Sequence, residues 1–530
     1  MDQNTQKAEM KNLISRNISV GVAAKAFYMV TRVFLPPLIL SHVSLEEYGI
    51  WATCFILISY LGMSAFGVSN VYIRYVAEFR ARQEYDKINR LLSTGMTFIL
   101  VLSLGLMAGL WFVLPMVISG FKISPALAPM AFQLIYITAL TFVLDLSLGA
   151  FSYVLIGLQK ITEQNLVWVA TFCLEAVLIV VFLLTGFGIY SLLWAFVIRY
   201  VVAIVAYVVL CYRTLPTLKL TLGQIDRESL RLFTGYGSVV QVTGILSMVL
   251  YSIEKVIAGA FLGVQSTALF DIGEKLPVMT SQIPSSMNMA FVPAMSHLAT
   301  LEQKAEVIKL YLKGSRYLNT MTGLMMGFLA AFAAPLLTIW IGHNDQFEVA
   351  ALIMVWFCLP YQMNVLTGPG SGFHRGNNRP VRELLYPVSQ AICVVLAVGT
   401  GFLIWGKTIQ VITIAVAISM VASAVWYMAF TNRTIGITQV EFLRRVLVPG
   451  LVPYGFGMLV RIIVSPALHW AGSNRWILLV IISLAGVLYC GLVLGFFYRA
   501  LCDWNEREFL RRQITHTLGS FFRFNLLKSA

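Results

Sequence analysis

Lys25 and Arg32 stand seven residues apart inside an apolar stretch running from about residue 17 to 42. On a helix that spacing puts both on one face, within about 20° of each other. A charge at the bilayer centre costs about 2.5–3.5 kcal/mol on the insertion scale, so cations there are usually kept because they face a polar cavity. Arginine offers a planar fork for paired phosphate oxygens, and lysine a mobile point charge. Together they suit a pyrophosphate that must give up part of its hydration. An exporter of cationic drugs would want acids in their place.

Arg74 and Arg199 extend this cationic set. Arg74 lies near the end of its apolar stretch, where snorkelling to the interface explains it equally well. Arg199 is mid-stretch, and Asp145 or Glu175 could serve it as a structural partner. Substrate contact is therefore expected from Lys25, Arg32, Arg74 and Arg199. Gating or ion coupling is expected from Asp145, Glu175 and a second group, Glu254, Lys255, Asp271, Glu274 and Lys275. Within that group Asp271 and Lys275 are four apart on one helix face, which also reads as a plain structural ion pair. The functional alternative is an outer gate or a protonation site, since intramembrane carboxylates tend to protonate.

These charges are exceptions in an apolar chain. Of 530 residues, 58% are hydrophobic and only 12% charged, with a mean hydropathy of +0.80, which defines a polytopic membrane protein. The expected fold is all-α with 14 transmembrane helices, at about 17–42, 49–74, 92–118, 128–157, 165–186, 188–212, 236–262, 265–295, 317–341, 349–370, 384–404, 409–430, 447–467 and 476–498. Most exceed the ~20 residues that cross the hydrocarbon, so tilts and kinks are expected, with Pro36, Pro37, Pro277, Pro284 and Pro293 as kink sites.

The net charge of +14 is topological, not a nucleic-acid footprint. The N-terminus, the loops after even-numbered helices and the tail hold 28 of the 38 Lys and Arg; the opposite loops hold only Lys122, Lys407 and Arg475. The positive-inside rule then places both termini in the cytoplasm. The first 14 residues are polar and the apolar stretch behind them is too long for a cleavable signal. The tail, with Trp504, Ile514, Phe521 and Phe522 among Arg507, Arg511, Arg512 and Arg523, suits a surface amphipathic helix on anionic lipid, or else a frayed basic terminus.

Enzyme-like signals are weak. The seven cysteines have no CxxC spacing and the six histidines no metal spacing, so neither a metal nor a cofactor is expected. Gly368-Pro-Gly-Ser-Gly372 lacks the Gly-Lys-Ser/Thr ending of a phosphate loop. Glu46-Glu47 resembles the acidic first outer loop of lipid-sugar-dependent glycosyltransferases, yet the outer loops are all too short to hold an acceptor domain. No catalytic residue is assigned.

An internal duplication organises the chain. At a shift of 219, Ser44–Trp51 lies over Gly263–Phe270, and Arg90, Leu91 and Gly95 over Lys309, Leu310 and Gly314; at 215, Gly157–Lys160 lies over Gly372–Arg375. Six helices separate the copies, so the halves share one orientation and imply parallel repeats flanking a substrate site. The expected organisation is a six-helix bundle at 1–212, a cytoplasmic linker at 213–235, a second six-helix bundle at 236–430, two extra helices at 431–498 and a basic tail at 499–530.

Several short motifs resemble the polysaccharide-transporter branch of the multidrug/oligosaccharidyl-lipid/polysaccharide exporter superfamily. They are Leu45–Ala52, Gly157–Lys160, Ala258–Gly263, Phe270–Leu276 and Pro335–Gly342, within a likeness running from about 14 to 500. The resemblance implies two six-helix bundles around a central cationic cavity, and flipping of undecaprenyl-pyrophosphate-linked sugars for polysaccharide biosynthesis. In related peptidoglycan-precursor flippases the last two helices form a groove for the lipid tail. The acidic group at 254–274 departs from the best-studied pattern.

The expected partners are a polyprenyl-linked sugar substrate and membrane lipid, with a polysaccharide polymerase and glycosyltransferases beside them. The expected place is the bacterial cytoplasmic (inner) membrane. An ion-coupled exporter of amphipathic small molecules is the alternative, and a membrane glycosyltransferase the third.

Overall fold

Backbone amides in hydrocarbon can bond only within their own segment, so a chain this apolar is driven to helix. The computed structural model describes residues 31–62, 68–221, 225–233, 250, 252–300, 303–377, 379–500 and 507–508; it is helical, with no strand among the described residues. The helices are α1 (Thr31–Leu40), α2 (Leu45–Gly62), α3 (Val68–Ala81), α4 (Tyr85–Gly120), α5 (Ala128–Leu148), α6 (Ala150–Gly157), α7 (Ile161–Leu184), α8 (Tyr190–Thr214), α9 (Arg227–Leu232), α10 (Ile253–Leu262) and α11 (Val264–Ser285). After them come α12 (Phe291–Thr300), α13 (Lys304–Ala331), α14 (Ala333–Trp340), α15 (Gln346–Gly376), α16 (Leu385–Trp405), α17 (Ile409–Ile435), α18 (Gln439–Phe442), α19 (Val448–Ala471) and α20 (Arg475–Ala500).

Among the described residues nine helical spans are long and apolar enough to cross a membrane, ten if α13 and α14, bent by 75°, make one. From Tyr85 on, most described helices overlap the expected stretches and often outrun them, whereas 49–74 is represented by two helices, α2 and α3, and most of 17–42 and 236–262 lies outside the described residues. The stretch read at 92–118 is one helix from Tyr85 to Gly120, because hydropathy marks only the hydrocarbon-facing part of a longer rod. Pro284 lies one residue before α11 ends, and a 3₁₀ turn at Ser286–Ala290 leads into α12.

The chain packs as two units. Unit 1 comprises Met1–Met279 with Leu384–Ser423, and unit 2 Thr280–Glu383 with Ala424–Ala530. In unit 1, α2 packs on α5, α3 on α6, α4 on α5 and α7 on α8. Its core includes Val71, Tyr72, Leu91, Leu92 and Phe233, all fully buried.

Phe233 belongs to the segment read as a linker, and the described part of that segment is docked. Its ring meets Tyr72 edge-on at 5.3 Å, and a Cβ on Gly95 would overlap both rings. Buried Asn89 clamps the stretch before it, donating to Thr217 O at 3.1 Å and accepting from Lys219 N at 3.1 Å. Asp226 caps α9 by accepting from Glu228 N and Ser229 N, and those N–H bonds hold its carboxyl below the usual carboxylate range.

In unit 2, α13 packs along α15 and α19, with α20 on α19. A buried amide network ties the three: Gln362 donates to Asn319 Oδ1 at 2.8 Å and to Gly450 O at 2.9 Å, and Tyr454 donates to Gln362 at 2.8 Å. Asn319 also donates to Val446 O at 2.8 Å, within the π-turn Leu443–Leu447 that opens α19. Side chains at Gly323 or Gly450 would overlap this seam, so both glycines permit the helices' close approach.

Candidate functional site

Unit 1 brings most of the embedded charges together. Lys25 lies outside the described residues. Arg32, half-buried on α1, has its guanidinium carbon 5.9 Å from the Phe55 ring centroid and 5.8 Å from that of Phe172. The same Phe172 ring lies 4.5 Å from the Arg199 guanidinium, so one aromatic side chain on α7 serves both arginines.

Arg199 is buried on α8, with Nε 3.1 Å from Glu175 Oε2, and stacks at 3.8 Å on Tyr200. The structural pairing allowed by the sequence is thus formed with Glu175 across the α7–α8 contact. Asp145 stays within electrostatic reach of Arg199 as a second counter-charge. Room for its carboxylate comes from Gly149, where a Cβ would overlap it between α5 and α6. Arg74 is apart from this group: it is exposed and leans 5.2 Å over Tyr75, the geometry of a snorkelling cation.

The second group, on α10 and α11, is built around Asp271. Lys255 Nζ meets Oδ1 at 3.0 Å, Lys275 Nζ meets Oδ2 at 2.7 Å, and Tyr48 O–H donates to Oδ2 at 2.9 Å. The Asp271–Lys275 pair is the i,i+4 contact expected from spacing. Lys255 and Tyr48 come from α10 and α2. Glu254 and Glu274, 2% and 1% exposed, are within hydrogen-bonding reach of each other, and each leaves one oxygen without a hydrogen bond. Three carboxyls therefore stand against two ammonium groups.

Tyr48 joins the two groups. Its hydroxyl bonds Asp271 and also lies in the field of Arg32. It belongs to Ser44–Trp51, the segment matched to Gly263–Phe270, and the two copies pack together: a Cβ on Gly49 would overlap the Val264 carbonyl. Charge-based reading passed over Tyr48, although the motif around it was the available signal. Phe172 gave no such signal.

Glu46 and Glu47 hold this corner. Glu46 accepts from Ser124 N at 2.9 Å; Glu47 accepts from Ser44 N at 2.7 Å while Ser44 Oγ takes the Glu47 N–H at 3.2 Å, a reciprocal helix cap. Nearby, Val264 N donates to Phe121 O at 3.0 Å and Lys122 Nζ to Phe261 O at 2.7 Å, at the Gly263 turn whose φ of 107° suits glycine. Among the described residues no group of His, Cys, Asp and Glu could hold a metal.

This all-α bundle has the fold of a membrane transporter. An inward-facing multidrug resistance MATE family transporter of the MOP superfamily superposes with a TM-score of 0.68 at 12% identity, covering 79% of this chain and 98% of that one. The lipid II flippase MurJ, in an inward closed conformation, also gives 0.68, at 14% identity over 92% and 99%. A MOP superfamily transporter from Pyrococcus furiosus, described as having a binding pocket of reverse polarity, gives 0.54 at 15% identity over 80% and 96%. By sequence the chain belongs to the polysaccharide biosynthesis protein family, whose profile matches residues 42–350. No curated protein matches it.

Proposed function

We propose that this protein is a flippase carrying a polyprenyl-pyrophosphate-linked oligosaccharide from the inner to the outer leaflet by alternating access, for polysaccharide biosynthesis. The observation that carries the reading is that Arg32 and the Asp271-centred cluster share one unit and meet at Tyr48. An anion site thus adjoins an ion-responsive one. The family supports the pathway, and the likeness to a lipid II flippase over 92% of the chain supports a lipid-linked substrate.

In this reading Lys25 and Arg32 grip the pyrophosphate. Arg199, neutralised by Glu175, acts by presenting Phe172 to Arg32. Two buried carboxyls in contact are suited to sharing one proton, and in this reading Glu254 and Glu274 share it, which balances the cluster to zero charge. Losing that proton leaves the cluster negative and favours rearrangement around Asp271. The moving bodies are the repeats at 1–212 and 236–430, joined by 213–235, with 431–498 as the lipid-tail groove and both termini cytoplasmic.

Complementation of a flippase-null strain, alongside flipping of a pyrophosphate-linked substrate in reconstituted vesicles, tests the reading. The Lys25→Ala/Arg32→Ala variant should insert normally and fail both assays. Wild-type activity at normal expression would overturn it.

A further inference from the structure

Unit 2 contains a cavity of about 390 Å³ where the end of α12, the first turn of α13, the last turns of α15 with the loop behind it, and the end of α17 converge. Its size falls in the ~300–1,000 Å³ range of small-ligand pockets. Lys304, Arg379 and Arg382 line it, and among the described residues no carboxylate does.

Three neighbouring basic residues are matched by acids. Arg375 grips Glu383 with two nitrogens at 2.6 and 2.7 Å, Lys309 meets Glu306 at 3.3 Å, and Arg445 meets Glu441 at 3.2 Å. Among the described residues no ion pair neutralises Lys304, Arg379 or Arg382; the Arg382 guanidinium has only the Phe430 ring, at 5.8 Å. Topology explains why these loops are basic. It does not explain why three cations without an ion pair among the described residues converge on one hollow.

Two further features point the same way. Gln303, the N-cap of the 28-residue helix α13, makes no side-chain cap, so the first-turn N–H groups and the positive end of the helix dipole are left to the cavity they border. His374 lines the cavity and is fully buried, with Nε2 3.2 Å from Thr431 Oγ1 and Nδ1 without a hydrogen-bond partner. The ring suits an anion in the tautomer whose Nε2 accepts from the Thr431 hydroxyl, which puts the proton on Nδ1, the buried nitrogen that has no partner among the described residues. Arg379 and Arg382 lie within electrostatic reach of the ring.

We infer that this cavity binds a phosphate-type anion, held by Lys304, Arg379 and Arg382, the first-turn amides of α13 and His374 Nδ1–H. The site uses none of the charged residues of unit 1 and does not depend on what the protein transports. Its ligand has one chemistry and two possible sources, an anionic phospholipid headgroup or a soluble phosphate or pyrophosphate.

The full chain, purified in detergent, is titrated with inorganic pyrophosphate by calorimetry at about 0.15 M salt, where surface charge is screened. In parallel, native mass spectrometry measures retention of phosphatidylglycerol against phosphatidylcholine. Saturable pyrophosphate binding identifies the soluble source, and selective phosphatidylglycerol retention the headgroup; either supports the site. Arg379→Gln/Arg382→Gln should weaken the positive interaction at least tenfold, and His374→Ala severalfold. The paired-cation control Lys309→Gln/Arg445→Gln should leave it unchanged. Should the double arginine variant unfold, Lys304→Gln on the exposed first turn replaces it. Binding of neither probe, or equal loss in the control, overturns the site.

Discussion

Tyr48 on α2 donates its hydroxyl proton to Asp271 Oδ2 on α11 at 2.9 Å, across 223 positions of chain. That bond ties the first segment matched by the internal duplication to the residue that follows the second. It also puts a neutral donor beside two lysines on one carboxylate, so Asp271 is the counter-charge on which the α10–α11 corner depends.

Removing that counter-charge should be costly. Asp271→Asn leaves Lys255 and Lys275 facing each other in a partly buried site, and breaking a pair of this kind costs about 3–5 kcal/mol. Thermal unfolding in detergent should show a large drop for Asp271→Asn. Tyr48→Phe, which loses one hydrogen bond, should cost about 0.5–1.5 kcal/mol. Lys255→Gln/Asp271→Asn/Lys275→Gln should recover much of the loss, and a triple variant no better than Asp271→Asn would contradict the pairing.

Glu254→Gln and Glu274→Gln should each keep the protein stable, since an amide can replace the protonated member of the pair. What they should lose is the response to protons. Flipping by the wild type should change when an outside-acid gradient is imposed on vesicles, and in both variants it should not. A variant that still follows the gradient would move the proton site elsewhere.

Arg199 and Arg32 should separate by phenotype. Glu175→Gln strands a buried guanidinium and should destabilise by about 3–5 kcal/mol. Arg32→Ala should remove transport at a smaller cost in stability than Glu175→Gln, because Arg32 is half-buried whereas Arg199 is buried. Equal loss of stability in both would make Arg32 structural too.

Energetically, the membrane potential should suffice. A pyrophosphate-linked sugar carries roughly two negative charges, and at ~2.3 kcal/mol per charge per 100 mV an inside-negative potential favours outward movement by about 4–5 kcal/mol. Vesicles with a potassium-diffusion potential and no pH gradient should flip substrate in the direction set by its sign. Flipping that ignores the sign and follows only a proton or sodium gradient would shift the drive to the Glu254–Glu274 pair.

Orientation is tested by labelling single cysteines in a Cys-free variant. Positions 87 and 304, in the first turns of α4 and α13, should be closed to impermeant reagent from outside intact cells. Labelling at either from outside would invert the topology.

The sequence alone determined where the helices run, because hydrocarbon burial and backbone satisfaction are local demands that each apolar stretch meets by itself. The sign of the loops and the Asp271–Lys275 contact were legible for the same reason: one is composition, the other a four-residue step on a helix. Long-range proximity was not legible. Arg199 could have met Asp145 or Glu175, and the α7–α8 packing put its Nε 3.1 Å from Glu175. The approach of Glu254 to Glu274, the placing of Tyr48 on Asp271 and the gathering of Lys304, Arg379 and Arg382 around one hollow all come from helices distant in sequence. Such meetings depend on how closely backbones approach, which glycines such as Gly49 permit only when the partner surface is present. Tertiary packing therefore decided which charges became pairs.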